Sequence, residues 1–193
     1  SGKIFTMQDF IKTFLEVFQR IGYKADASNI RKAGYLRLKS LSKLFETYYT
    51  VPIEDLLKKP TIIELAAIEN EEQKSLLIAL LLLNIQAYVT NNYIGEGKLK
   101  NVILLEEAHV LLGSAEKKNS EDEANPSAVA KNLLIRMLAE MRSLGVGIVI
   151  ADQSPEAVTA GVIRFTTTKI AFNIVEKADR EILANSTTMK ELH

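Results

Sequence analysis

Two adjacent carboxylates, Glu106 and Glu107, directly follow the apolar run Val102 to Leu105. Four consecutive apolar residues suit a strand covered on both faces, and acids at its carboxyl end stand where open α/β sheets bind ligands. There, one carboxylate can help hold Mg²⁺ through its water shell while the next polarises a water for attack on a phosphoryl group. Glu106 and Glu107 fit those roles in that order. An acidic pair also favours the positive end of a helix dipole, so the pair alone leaves a purely structural reading open. Gln153 stands just past another apolar segment, Val146 to Ala151, where its amide can hold a nucleophilic water or sense a phosphate. A turn amide satisfied by backbone is the alternative, and Asp152 beside it is a further candidate. Arg142 ends the helical stretch before that segment. A cation there is favourable by ~0.3–1 kcal/mol, and a guanidinium there can also reach a neighbouring subunit's phosphates.

The elements that must position these groups are legible from periodicity. Thr6 and Asp9 mark a helix start, and Phe10, Phe14, Val17, Phe18 and Ile21 recur at helical spacing over 7–21. Ile30, Ala33, Leu41, Leu44, Phe45 and Tyr48 continue a second helical pattern. Thr61 to Ala66 reads as a strand, followed by an acidic helix start at Glu69, Glu71 and Glu72 and an apolar helix to about Tyr88. A turn-rich link over 91–100 leads into the strand at Asn101 to Leu105. Residues 113–127 are polar, charged and Pro-terminated, the composition of a mobile loop. A helix then opens at Pro126 or Ser127 and ends at Gly145; strands follow at Val146 to Ala151 and Thr168 to Ile174, and a helix closes from about Lys177. Strands alternating with helices predict an α/β fold with a mainly parallel sheet flanked by helices, preceded by an N-terminal helical subdomain. The expected division is 7–50 for the helical subdomain and 51–193 for the sheet-bearing core.

Composition bounds the function. The chain has 193 residues, 47% of them hydrophobic and 25% charged, which is ordinary for one globular domain with an added subdomain. Its 24 Lys+Arg balance 24 Asp+Glu, so contact with nucleic acid requires a local patch rather than a whole-molecule field. Arg31, Lys32, Arg37 and Lys39 supply one candidate in the helical subdomain; a solvated outer face of helices explains the same charges. Zero cysteines exclude disulfides, thiolate zinc sites and cysteine nucleophiles, and fit a reducing, intracellular location. The longest uninterrupted apolar run, Leu76 to Leu83, is short of the ~18 residues of a spanning helix, and no membrane partner is expected.

Taken together, the segments KPTIIELAAIENEEQKSLLIALLLL (59–83), VILLEEAHVLL (102–112), LAEMRSLGVGIVIADQSP (138–155) and TTTKIAFNIVEKADREIL (166–183) resemble the HerA/FtsK superfamily of P-loop DNA-translocating ATPases, most closely its HerA-like branch. The resemblance implies a partial RecA-like core. In it Glu106 is the metal-side acid of a Walker B element, Glu107 the catalytic glutamate, Gln153 the sensor amide and Arg142 the intersubunit arginine finger. It also implies ATP and Mg²⁺, a homo-oligomeric ring (a hexamer in this family), DNA, a partner nuclease or other effector enzyme, and a cytoplasmic location. His109 matches the family string, with packing or support of the site as its expected role. Phe165-Thr166 and Phe172-Asn173 depart from the family's polar and basic residues near the last strand, and Lys169 is the candidate substitute. No G-x-x-x-x-G-K-[ST] occurs anywhere, so the Walker A grip on the β- and γ-phosphates is missing from this sequence. The expectation is therefore a C-terminal part of the motor domain of an ATP-dependent translocase or helicase, inactive in isolation. The competing reading is a non-catalytic DNA- or protein-interaction module using the basic N-terminal helices.

Overall fold

The computed structural model describes residues 5–21, 27–46, 49–95, 97–112, 126–156, 158 and 160–187. The chain divides into two compact units, Ser1–Val51 and Pro52–His193. The first contains helices α1 (Met7–Ile21) and α2 (Ala27–Ser42). Thr6 caps α1: its hydroxyl accepts the Asp9 N–H at 3.2 Å while the Asp9 carboxylate accepts the Thr6 N–H at 3.1 Å, a reciprocal box that satisfies free amides of the first turn. The two helices meet closely at Gly34, where a Cβ would lie 2.7 Å from the Phe14 ring. The second helical pattern ends at Ser42, earlier than its apolar spacing suggests, and Tyr48 lies outside the described residues.

The second unit runs α3 (Ile53–Lys58), α4 (Glu71–Asn92), β1 (Asn101–Glu106), α5 (Ala108–Leu112) and α6 (Pro126–Glu140). A 3₁₀ turn (Met141–Leu144), β2 (Val146–Ala151), α7 (Ala160–Phe165) and α8 (Lys177–Ser186) complete it. It is an α/β unit in which β1 and β2 pair in parallel from Asn101↔Val146 to Glu106↔Ala151. Asn70 caps α4 by accepting the Gln73 N–H at 3.0 Å, and Glu71 and Glu72 occupy its first turn, as the acidic start predicts. Ser75, Ala79, Leu82, Ile85 and Val89 form its buried stripe, packed with Leu133, Leu134, Met137 and Met141. Each large side chain buried there contributes about 1.5–3 kcal/mol. Gln86 bridges the same two helices, donating to Glu140 at 3.1 Å and accepting from Arg136 at 3.3 Å. Taken over its full 22 residues, α4 is long and apolar enough to cross a bilayer by length and composition. Its buried stripe is instead part of the unit's core.

Three expectations are corrected. The strand expected at Thr61 to Ala66 forms no ladder: the Thr61 hydroxyl bonds the Leu56 and Lys59 carbonyls, making the segment the exit from α3, and Ile62 is 87% exposed. The strand expected at Thr168 to Ile174 is also unpaired. Arg180 donates to the Ile174 and Val175 carbonyls and Lys169 to the Thr166 carbonyl, while Phe172 is 88% exposed. β-branched composition favours a strand only where neighbours give it a surface to pack on, and these segments have none among the described residues. Finally, β1 is covered on one face: Ile103 and Leu105 join the core with Ile148 and Ile150, whereas Val102, Leu104 and Val149 are exposed. The loop expected over 113–127 falls outside the described residues up to 125, and Pro126 already begins α6.

Gly145 sets the entry to β2. It adopts φ +84°, a left-handed conformation that closes the 3₁₀ turn, and its carbonyl accepts the Lys100 N–H at 2.7 Å at the start of β1. A side chain there would collide with the Lys98 carbonyl oxygen. Asn101 fixes the other side, donating to the Leu57 carbonyl at 2.8 Å and accepting the Tyr93 hydroxyl at 2.6 Å. Burial, reinforced by Tyr88, raises the Tyr93 phenol above its ordinary value. These contacts set the two strands side by side, so that their carboxyl ends emerge together.

Candidate active site

Parallel pairing puts Glu106 opposite Ala151, so the residue after β1 and the loop after β2 leave the sheet at one edge. Glu107 occupies the turn between β1 and α5 with φ +50°, the one described non-glycine residue with positive φ. That backbone costs on the order of 1–3 kcal/mol for a residue with a Cβ and persists only where surrounding contacts enforce it. Here its carbonyl accepts the Val110 N–H at 2.9 Å, and the next residue, Ala108, is buried in the core. The turn thereby swings the Glu107 carboxylate over the neighbouring strand's exit.

The Glu107 carboxylate meets side chains on both oxygens. Gln153 Nε2 donates to Oε1 at 3.0 Å, and His109 Nδ1 lies 3.3 Å from Oε2. Asp152 completes the cluster. Its Oδ2 accepts the His109 backbone N–H at 2.9 Å and faces the His109 Nδ1 at 3.0 Å, while Oδ1 accepts the Ser154 N–H at 3.2 Å. The Asp152 side chain is 5% exposed, whereas those of Glu107 and His109 are 50% and 42% exposed. Burial pushes the Asp152 carboxyl upward, but the His109 and Ser154 backbone amides and the His109 ring outweigh it and hold it below its ordinary value. A buried anion is thus satisfied by donors from both strand exits, and an exposed acid stands beside it.

A second buried acid, Asp179 in the first turn of α8, secures the same loop. Its Oδ1 accepts the Ser154 hydroxyl at 3.0 Å and the Glu156 N–H at 2.9 Å. Sequence reading did not single it out; its signal was an acid in the first turn of the closing helix, which by itself fits a favourable dipole contact.

The structure therefore brings Glu106, Glu107 and Gln153 to one edge, together with His109 and Asp152. It does not bring Arg142 there. Arg142 is exposed in the 3₁₀ turn before β2, at the opposite end of the strand. The five steps from Val146 to Ala151 span about 17 Å at strand rise. Lys169, whose ammonium bonds the Thr166 carbonyl at 2.8 Å, is tied to its own loop. Arg31, Lys32, Arg37 and Lys39 are all exposed on α2, in the other unit. At about 100° per residue Lys32 and Lys39 share one side, Arg31 adjoins them and Arg37 points away from all three. Lys39 also lies 5.9 Å from the Tyr35 ring centroid.

No protein-family model matches the chain. Over 95 residues, 49% of its length, the chain is 30% identical to the DNA double-strand break repair helicase HerA of Sulfurisphaera tokodaii, and the match covers 17% of that helicase. The chain therefore spans less than a fifth of the length of this curated relative, and the likeness is a distant one to a HerA-type helicase.

Proposed function

We propose that these residues form part of the motor domain of a longer, ring-forming, ATP-dependent DNA translocase or helicase. The observation that carries the reading is the Glu107–Gln153 contact: a strand-end carboxylate in a left-handed backbone, bonded at 3.0 Å by an amide from the exit of the parallel neighbour. Glu107 serves as the base that takes a proton from the attacking water, and Gln153 holds that water or reports the γ-phosphate. Glu106 is the metal-side acid. Mg²⁺ in nucleotide sites takes one or two carboxylates, waters and substrate phosphates. An exposed carboxylate at a strand end suits that mode. When bound, the ion supplies charge neutralisation on the phosphate oxygens.

Arg142, a strand's length away, acts on ATP held by the adjacent subunit, which accounts for an exposed guanidinium remote from its own carboxylates. The grip on the β- and γ-phosphates comes from a segment outside these 193 residues. DNA is the polymer moved, within a homo-oligomeric ring that works with a nuclease or other effector enzyme. The distant likeness to a DNA repair helicase supports this assignment. The test is ATP turnover by the full-length protein: it should require Mg²⁺ and rise when DNA is added, and a protein that turns over no ATP with both present would remove the assignment.

A further inference from the structure

We propose that Asp152 is a positioning residue of the Glu107–Gln153 site, fastening the turn after β1 to the loop after β2 and fixing the hydrogen of the His109 ring on Nδ1. The inference rests on the reading of that cluster as the catalytic edge, although the contacts that carry it do not involve nucleotide. One carboxylate spans both exits: Oδ2 takes the His109 backbone amide and ring nitrogen, and Oδ1 takes the Ser154 amide. Glu107 lies two residues before His109 and Gln153 one before Ser154, so the contact joins the two segments that must meet for the 3.0 Å Glu107–Gln153 bond to form.

The ring follows by donor arithmetic. His109 Nδ1 faces Asp152 Oδ2 at 3.0 Å and Glu107 Oε2 at 3.3 Å. Ionised carboxylates only accept, so a nitrogen held between two of them carries the hydrogen, and in the neutral ring the lone pair falls to Nε2. Of the two acids, Asp152 is the one that sets this form. It is nearer and almost fully buried, and it also grips the His109 backbone, whereas Glu107 is half exposed. The imidazole so fixed lines the second oxygen of Glu107, as Gln153 lines the first. Asp152 acts through His109 and through the loop it holds.

The test is a long-range proton–nitrogen NMR spectrum of this isotope-labelled chain near neutral pH, with the His109 signals assigned through His109→Gln. The wild-type ring should be mainly in the Nδ1–H form. Asp152→Ala should shift the population toward Nε2–H and move the Gln153 side-chain amide signal toward that of a free amide. Glu107→Gln should leave the ring in the Nδ1–H form. If Asp152→Ala fails to fold, Asp152→Leu, which fills a similar volume and offers no acceptor, is read in its place with the same direction expected. A wild-type ring mainly in the Nε2–H form overturns the proposal, as does a folded Asp152 variant with the wild-type ring spectrum. None of these readouts requires ATP, so failure of the motor assignment would leave them unchanged and is told apart.

Discussion

Replacing Asp152 by Ala should destabilise the sheet-bearing unit by about 2 kcal/mol. Three hydrogen bonds end on this carboxylate, from the His109 amide at 2.9 Å, its ring at 3.0 Å and the Ser154 amide at 3.2 Å. The ring, 42% exposed, can turn to water, which leaves the two amides as the unrecovered loss. At about 1.5 kcal/mol each, the low end for bonds to a charged group, they amount to about 3 kcal/mol, and release from burying a charge returns about 1. In urea, with a slope near 2 kcal/mol per molar, the midpoint falls by about 1 M. Acid gives the second half of the test. The folded carboxyl titrates below its ordinary 3.8, so its contribution is complete above that value and is lost as pH falls through the folded value. The gap between wild type and Asp152→Ala should therefore be full at neutral pH and close below the ordinary value. Circular dichroism melts in urea across this range would read it. Equal midpoints at neutral pH, or a gap that widens in acid, would refute the reasoning.

Other outcomes follow from the same geometry. In the full-length protein Arg142→Ala and Glu107→Gln should each lose ATP turnover, and mixing the two should restore part of it, because one subunit then supplies the base and its neighbour the arginine; no recovery in verified mixed rings would argue against action across the interface. Gly145→Ala should cost at least about 2 kcal/mol, since the left-handed φ of +84° alone accounts for that and the added Cβ meets the Lys98 carbonyl; a thermal melt matching wild type would contradict it. If the N-terminal helices contact DNA, neutralising Lys32 and Lys39 together should weaken binding and flatten its salt dependence, whereas Arg37→Ala should do less, because it lies on another side of α2; equal effects would deny a one-sided contact.

Much of the site was legible because its signals are local. Apolar strands ending in Glu106-Glu107 and followed by Gln153 need only parallel pairing to meet, and α/β alternation supplies it. The cap of α1 also announced itself, through Thr6 with Asp9, whereas at α4 the acidic start was legible and its cap, Asn70, was not. The expected strands at Thr61 to Ala66 and Thr168 to Ile174 failed for the opposite reason. A strand exists through its neighbours, and nothing within Ile62-Ile63 or Phe172 states whether a neighbour is present. Short helices were missed as well, although α3 carries its own sign in the Glu54–Lys58 ion pair at 2.6 Å. Asp179 was invisible because its two bonds cross 23 to 25 residues of sequence to a loop. The left-handed turn at Glu107 had no sequence mark, glutamate being a residue that rarely adopts it.

The central claim is that Glu107 activates the water that attacks ATP. Steady-state turnover of full-length protein carrying Glu107→Gln, measured with saturating Mg²⁺ and DNA alongside direct nucleotide binding, tests it most directly. An amide in place of a general base should lower kcat by about 10²–10⁴-fold while nucleotide binding persists. Turnover at the wild-type rate would contradict the account.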